Sequence, residues 1–354
     1  MSWEANVRRV VPYTPGEQPG ERDVIKLNTN ENPYPPPPGV IAAIQSIRAE
    51  QYRLYPDPDA GRLRQALADY HGLKKEQVFV GVGSDDVLAL AFLTFFNSGR
   101  PVLFPDITYS FYDVWANLYG IPFEVRPLRQ DLTIDPSAYM GGSGGIIFPN
   151  PNAPTGILTE PEDVESIVRA NEDVVVIVDE AYIDFSGGNK SVVPLLARYD
   201  NLLVVRTFSK SRSLAGLRIG YALGGEKLIG CLQDVKFSFN SYTMNLPSLA
   251  AGEASIRDDV YFRKTLEKVI ETREWTKQKL AELGFVCTDS QSNFLFVSHK
   301  RIPARELFAA LKKAGIYVRY FPRPRIDNYL RISIGTQAQM EALTACLQEY
   351  LNQY

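Results

Sequence analysis

Histidine and cysteine are scarce in this chain. Its 354 residues include two histidines, His71 and His299, and three cysteines, Cys231, Cys287 and Cys346. None falls in a CxxC, HxxxH or HExxH spacing, so no zinc or iron–sulfur ligand set is expected. Three scattered cysteines do not make a disulfide framework and suit a reducing compartment, so a cytoplasmic protein is expected. Long apolar runs are missing too: nothing approaches the ~20 apolar residues of a membrane-spanning helix. The opening residues, MSWEANVRRVV, lack the apolar stretch and small-residue cleavage site of a signal peptide. Neither sign of charge dominates. Lysine plus arginine number 38 against 41 for aspartate plus glutamate, a formal net charge of −3. Such a balance offers no electrostatic footing for nucleic acid or anionic lipid, although local arginines can still bind a small anion.

What remains is an ordinary globular composition, 45% apolar and 22% charged, which excludes a disordered or collagen-like chain. At roughly 150 residues per domain, the length predicts about two domains. The first forty residues read as an arm, because Asn32-Pro33-Tyr34 followed by four prolines cannot supply the donors of a sheet ladder. A helix is expected from Val40 to about Glu50, and another after the RLYPDPDAG turn. From Gln77 to about Leu223, apolar runs alternate with amphipathic stretches. The runs are Val78–Val82, Val102–Phe104, Gly145–Phe148, Val174–Val178, Leu202–Thr207 and Ile219–Leu223. Helices are expected at Ser84–Phe96, Tyr109–Leu118 and Pro161–Ala170, the last started by a Thr159-x-x-Glu162 capping box. Strands alternating with helices predict an α/β fold: a large domain with a mostly parallel central sheet flanked by helices. After about Asn245 the pattern changes to a long helix, short strands and a closing helix, a smaller α+β domain. The expected division is an arm at 1–40, a large domain at 41–245 and a small domain at 246–354.

In open α/β sheets the chemistry sits just past the carboxyl ends of the strands. Val174–Val178 runs into Asp179-Glu180-Ala181-Tyr182. Leu202–Thr207 runs into Phe208-Ser209-Lys210. Val78–Val82 ends in Gly83-Ser84-Asp85-Asp86 and enters a helix. Singly, each has an ordinary explanation as a helix cap, a solvated lysine or a tight turn. Gly81-x-Gly83 is no dinucleotide fingerprint, since Asp86 holds the third glycine position. Jointly, a lysine, a carboxylate and a glycine-led helix start are what pyridoxal phosphate requires: an amine to link to, an anion for its ring nitrogen and a cradle for its phosphate. Arg218, eight residues past Lys210 in SKSRSLAGLRIGY, can return to that phosphate.

On these residues, and on NPNAPTG (Asn150–Gly156), VDEAY (Val178–Tyr182) and GVGSDD (Gly81–Asp86), the chain resembles the fold-type I pyridoxal-phosphate aminotransferases of class II over essentially its whole length. The resemblance implies a transferase in which Lys210 is the covalent anchor and proton carrier, and Asp179 holds the proton on the ring nitrogen. It implies that Tyr182 and Asn152 bond the cofactor's phenolic oxygen. The phosphate would be held by the amides of Ser84 and Asp85 with Thr207, Ser209 and Arg218, and Tyr109 would stack on the ring. Tyr55, in RLYP, would reach the phosphate of a neighbouring subunit, which implies a homodimer. LNTNENPYPPPP, SLAGLRIGYALG and YLRISIGT point within the family to members that exchange the amino group of histidinol phosphate with 2-oxoglutarate, a step of histidine biosynthesis. Arg331 and Arg319 would then bind the substrate's anions, with Arg323 and Arg325 as rivals to Arg319, and Tyr34 would close over the substrate. Ser211-Arg212-Ser213 departs from the family pattern, and an extra arginine beside the lysine bears on substrate preference. The alternatives are an aromatic or broad-specificity aminotransferase and a threonine-phosphate decarboxylase on the same scaffold. A cofactor-binding regulator is a further class, for whose DNA-binding domain the short arm leaves no room.

Overall fold

An unbroken run of valine and isoleucine leaves a strand no polar face, and both faces of Val176–Asp179 are covered. Val176 and Val178 pack into one apolar cluster, and Ile177 packs into a second on the other side. Leu202–Thr207 alternates likewise, with Leu202 and Val204 on the first side and Leu203 and Val205 on the second. The computed structural model, which describes residues 2–20, 23–188 and 190–353, sets both strands inside a seven-stranded sheet. Its spatial order is Val78–Gly81, Gly220–Gly224, Leu202–Thr207, Val176–Asp179, Gly145–Pro149, Val102–Pro105 and Phe123–Arg126. Only Gly220–Gly224 runs antiparallel to its neighbours. The expected α/β architecture, with a mostly parallel central sheet, is the one observed.

Local departures have local causes. Phe123–Arg126 is not among the apolar runs, because an edge strand carrying Glu124 and Arg126 keeps those residues exposed or half-exposed. The Thr159 capping box does not form. Thr159 exchanges two hydrogen bonds with the Asn150 side chain instead, at 2.9 and 2.8 Å, and Pro161–Ala170 starts from Glu160 with proline in its first turn. The helix expected from Tyr109 begins only at Tyr112, and the one expected over 40–50 is Pro38–Gln45 followed by a short 3₁₀ turn, Ala49–Arg53.

A four-stranded antiparallel sheet forms the second layer system, in the order Arg319–Tyr320, Leu330–Ser333, Phe294–His299 and Phe285–Cys287. Asp259–Glu282, Ala304–Lys313 and Gln337–Leu351 bury Val269, Leu307, Leu311, Met340 and Leu343 against it. The amino-terminal stretch joins this unit: Ile25–Lys26 pairs in parallel with Ile316–Tyr317, and Leu27 is buried in its core. The proline run lies over the long helix, where the Tyr261 hydroxyl donates to Pro35 O at 2.8 Å. Leu246–Arg257 packs the other way, with Gly252 against Leu63 and Ile219 of the large unit. No described helix is long and apolar enough to cross a membrane.

Candidate active site

Pro149, Asp179 and Thr207 stand at the carboxyl ends of three adjacent parallel strands, and a cavity of about 100 Å³ opens just beyond them. Ser84, Asp85, Tyr109, Tyr182, Ser209, Lys210 and Arg218 line it with Ala153 and Ala181. Nine of the residues marked from the sequence thus meet in one place.

At one end is Asp179, almost fully buried, with no cation paired to it among the described residues. Its Oδ1 accepts from Ala181 N at 3.1 Å and its Oδ2 from the Tyr112 hydroxyl at 3.2 Å. Burial pushes its pKa up to about 7 despite these two bonds. At the other end is an anion cup. Ser84–Phe95 begins after Gly83, which has no side chain with which to cap the first N–H groups. Gly83 has φ +89°, and a Cβ there would stand 2.6 Å from Arg218 Nη2, so only glycine lets the guanidinium lie against the helix start. Arg218 is itself left-handed, φ +50°, and donates to Ser209 Oγ and Asp85 Oδ2, both at 3.4 Å. Thr207 Oγ1 accepts from Ser209 N at 3.1 Å and shapes the same turn. The Tyr109 hydroxyl donates to Asp85 Oδ1 at 2.8 Å, and burial together with that carboxylate raises its pKa well above the ordinary tyrosine value.

Lys210 Nζ donates to the Thr29 carbonyl at 3.2 Å and sits 5.8 Å from the Tyr182 ring centre. The Tyr182 hydroxyl in turn accepts from Asn30 Nδ2 at 3.0 Å, and Asn32 Nδ2 donates to Lys210 O and Ser211 O. Asn152 is buried beside the cavity, its amide donating to Ile107 O at 3.0 Å and Thr155 Oγ1 at 3.2 Å. A buried unpaired carboxyl, an amine and a glycine-lined anion cup in one cavity fit pyridoxal phosphate.

The family model for aminotransferases of class I and II matches residues 22–347. The chain belongs to that family. Among curated relatives, the aminotransferase is 50% identical over 351 residues to the histidinol-phosphate aminotransferase of Lactococcus lactis subsp. cremoris (strain MG1363), covering 99% of this chain and 98% of that protein. It is 52% identical over 350 residues to histidinol-phosphate aminotransferase 1 of Bordetella parapertussis, with 98% of each covered. Among solved structures, the histidinol-phosphate aminotransferase of Sinorhizobium meliloti in complex with pyridoxal-5′-phosphate matches with TM-score 0.85 at 26% identity, over 94% of this chain and 92% of that one.

Outside the wall of that cavity, the aminotransferase places Arg319 directly across from Arg331 on neighbouring antiparallel strands, and Arg319 lines a second cavity of about 360 Å³ with Thr108 and Pro154. Arg331 Nη2 donates to Asn28 O at 3.0 Å, its Nε is buried without a partner, and burial lowers its pKa. Its guanidinium also lies 5.4 and 5.5 Å from the Phe294 and Phe321 ring centres. Arg325 is committed elsewhere: it pairs with Asp106 at 2.8 Å and donates to Leu128 O and Arg129 O. Arg212 points away from the cavity, 4.0 Å from the Phe262 ring centre and 2.7 Å from Ser255 O, so it does not face the substrate side. Tyr34 packs on the small-domain core under Lys268, outside the cavity wall. Tyr55 is 81% exposed and stacks on Tyr242 at 4.6 Å, also outside it.

Thr29, Asn30, Asn32 and Tyr112 also belong to the site, although no motif in the sequence marks them as site residues. The first three lie in LNTNEN, where a dense polar run ahead of the prolines was the available signal. Tyr112 carried none, since its neighbours mark it only as a buried helix residue. Tyr13 is likewise unmarked; it stacks on Phe111 at 4.1 Å, within electrostatic range of Tyr109 and Arg331.

Proposed function

We propose that the chain transfers the amino group of histidinol phosphate to 2-oxoglutarate, using pyridoxal phosphate, in histidine biosynthesis. The observation that carries this reading is the pair Arg319–Arg331, two cations with no carboxylate partner among the described residues, of which Arg331 lies within electrostatic range of Tyr109 and Tyr182 in the wall of the cavity that holds Lys210 and Asp179. A phosphate monoester in one half-reaction and a dicarboxylate in the other each present an anion that such a pair can grip.

The bound cofactor supplies an electron sink for the pair of electrons left when a Cα proton departs. The protein supplies the rest. Asp179, whose pKa burial raises to about 7, would gain in the protonated ring nitrogen the cation it lacks and so would hold that proton in place. The Ser84 and Asp85 amides with Thr207, Ser209 and Arg218 hold the phosphate. Tyr109 would cover the ring and Tyr182 would bond its phenolic oxygen, as would Asn152 by exchanging one of its bonds to Ile107 O and Thr155 Oγ1. Lys210 would be the covalent anchor and, with its amine free, would carry the proton from the substrate's Cα. Tyr34 closes from the amino-terminal side.

We also assign the protein as a homodimer in which Tyr55 completes the partner's phosphate cup. Supporting this, Tyr52, Leu54, Tyr55, Phe239 and Tyr242 are all exposed on one chain. The three unpaired cysteines suit the cytoplasm, where we place it. We propose an arm at 1–40, a large domain at 41–245 and a small domain at 246–354, whose first helix, Leu246–Arg257, packs back on the large domain. The test is a half-reaction: the holoenzyme's visible band should convert to the amine form with histidinol phosphate and with glutamate. Equal conversion by histidinol and by its phosphate ester would favour the aromatic, broad-specificity reading.

A further inference from the structure

Strand alternation sends Asp179 and Thr207 toward one side of the sheet, and it sends their chain neighbours Glu180 and Arg206 to the other. Behind the cavity these two meet. Arg206 Nε donates to Glu180 Oε2 at 2.9 Å, with the side chains 9% and 0% exposed. Arg206 Nη1 also reaches Asp184 Oδ1 at 3.4 Å, and Asp184 Oδ2 accepts from Ser211 Oγ at 2.5 Å. Glu180 is held in turn by Ser191 Oγ and Val192 N, each at 2.7 Å. Tyr221 stands opposite Arg206 on the adjacent strand, and His71 Nε2 lies 3.1 Å from the Tyr221 hydroxyl. Every charge and nearly every polar atom of the cluster is engaged.

A buried ion cluster is a weak source of stability, because desolvation offsets much of its attraction. Its connectivity gives it another use. One branch ends on the residue after Asp179, the other on the residue after Lys210. The two groups that must act on opposite ends of one cofactor are therefore braced from behind by one guanidinium. We propose that Arg206 is a positioning residue: through Glu180 on one branch, and through Asp184 and Ser211 on the other, it fixes the Lys210 amine relative to the Asp179 carboxyl. The proposal rests on the assignment of Lys210 and Asp179 as the reacting pair. It differs from a purely stabilising role because Ser211 is the terminal link, and losing its hydroxyl leaves the Arg206–Glu180 pair intact.

The test uses the holoenzyme with Ser211→Ala, Ser211→Thr and Arg206→Lys. Borohydride reduction followed by peptide mass analysis first identifies the lysine that carries the cofactor. If that lysine is not Lys210, the catalytic assignment fails and this proposal falls with it. With Lys210 labelled, Ser211→Ala should lower kcat about tenfold, the lower end of what a charge-assisted hydrogen bond is worth. The pH midpoint of the bound cofactor's visible band should move by about 0.5 unit or more. Cofactor affinity of the apoprotein and its melting temperature should stay close to wild type. Ser211→Thr, which keeps the hydroxyl, should restore both readouts, and Arg206→Lys should move the midpoint in the same direction as Ser211→Ala. An unmoved midpoint in Ser211→Ala overturns the proposal while leaving the catalytic assignment standing, whether kcat is unchanged or falls only in step with melting temperature.

Discussion

Arg319 and Arg331 face each other across two antiparallel strands, and no carboxylate among the described residues pairs with either. Like charges so placed repel, and the Arg319 charge contributes to lowering the Arg331 pKa, after burial itself. A bound dianion relieves both.

Removing one of these cations should therefore act on substrate before stability. Arg331→Ala should lower kcat/KM for both histidinol phosphate and glutamate by roughly ten- to a hundredfold, the value of a charge-assisted hydrogen bond. Arg319→Ala should hurt histidinol phosphate more than glutamate, and Arg319→Lys should rescue only in part, since a point charge lacks the guanidinium fork. The measurement is kcat/KM for histidinol phosphate, histidinol, glutamate and phenylalanine in each variant. Uniform losses across all four would remove the anion-binding role.

Asp179 should govern how the apoprotein's stability depends on pH. Its folded pKa of about 7 exceeds the ordinary 3.8, so between about 4 and 7 the native state holds a proton that the unfolded state has lost. Stability from this group falls as pH rises through that window, by ~1.4 kcal/mol per unit for one proton. His71 works in the opposite sense: burial depresses it from 6.5 to about 3, so its contribution is lost as pH falls through that range. The two nearly offset between about 4 and 6.5. Asp179→Asn should remove the first slope and leave an apoprotein that weakens on acidification, seen as diverging urea melts from pH 7 to 5. Parallel curves for the two proteins would show that Asp179 titrates normally.

Gly83→Ala tests the phosphate cup. A methyl group at φ +89° and 2.6 Å from Arg218 Nη2 must displace the guanidinium or strain the turn. Cofactor affinity should fall by about tenfold or more, a loss of ~1.4 kcal/mol, while histidinol phosphate specificity, set by Arg319 and Arg331, is unaltered. Fluorescence titration of the apoprotein with pyridoxal phosphate gives the number. Wild-type affinity would place the phosphate elsewhere.

Lys210→Ala should bind cofactor without covalent linkage and lose transamination by a factor on the order of 10² to 10⁴. If Tyr55 serves the partner's cup, mixing inactive Tyr55→Arg with inactive Lys210→Ala should restore activity, because one site per mixed dimer carries neither change. Recovery is read as kcat of the remixed sample against each parent. Sedimentation as a monomer, or no recovery in mixed dimers, would sink the shared site.

Which strands are buried on both faces, and where they end, is written in the local order of residues. Val174–Val178 and Leu202–Thr207 have no polar alternation, so each must be covered on both sides, and the first polar residues after them, Asp179, Ser209 and Lys210, had to emerge at the sheet's rim. Gly83 before an uncapped helix was legible for the same local reason. The rest of the site depends on contacts between residues far apart in the chain. Thr29, Asn30 and Asn32 reach Lys210 and Tyr182 because Ile25–Lys26 pairs with Ile316–Tyr317, a register no local pattern encodes. Among three arginines in YVRYFPRPR, strand pairing puts Arg319 opposite Arg331, while a left-handed turn at Arg325 points its side chain at Asp106. Arg212 shares the lysine's loop yet turns into an aromatic cage formed by Tyr70, Phe208 and Phe262, three separate segments that only the folded chain assembles.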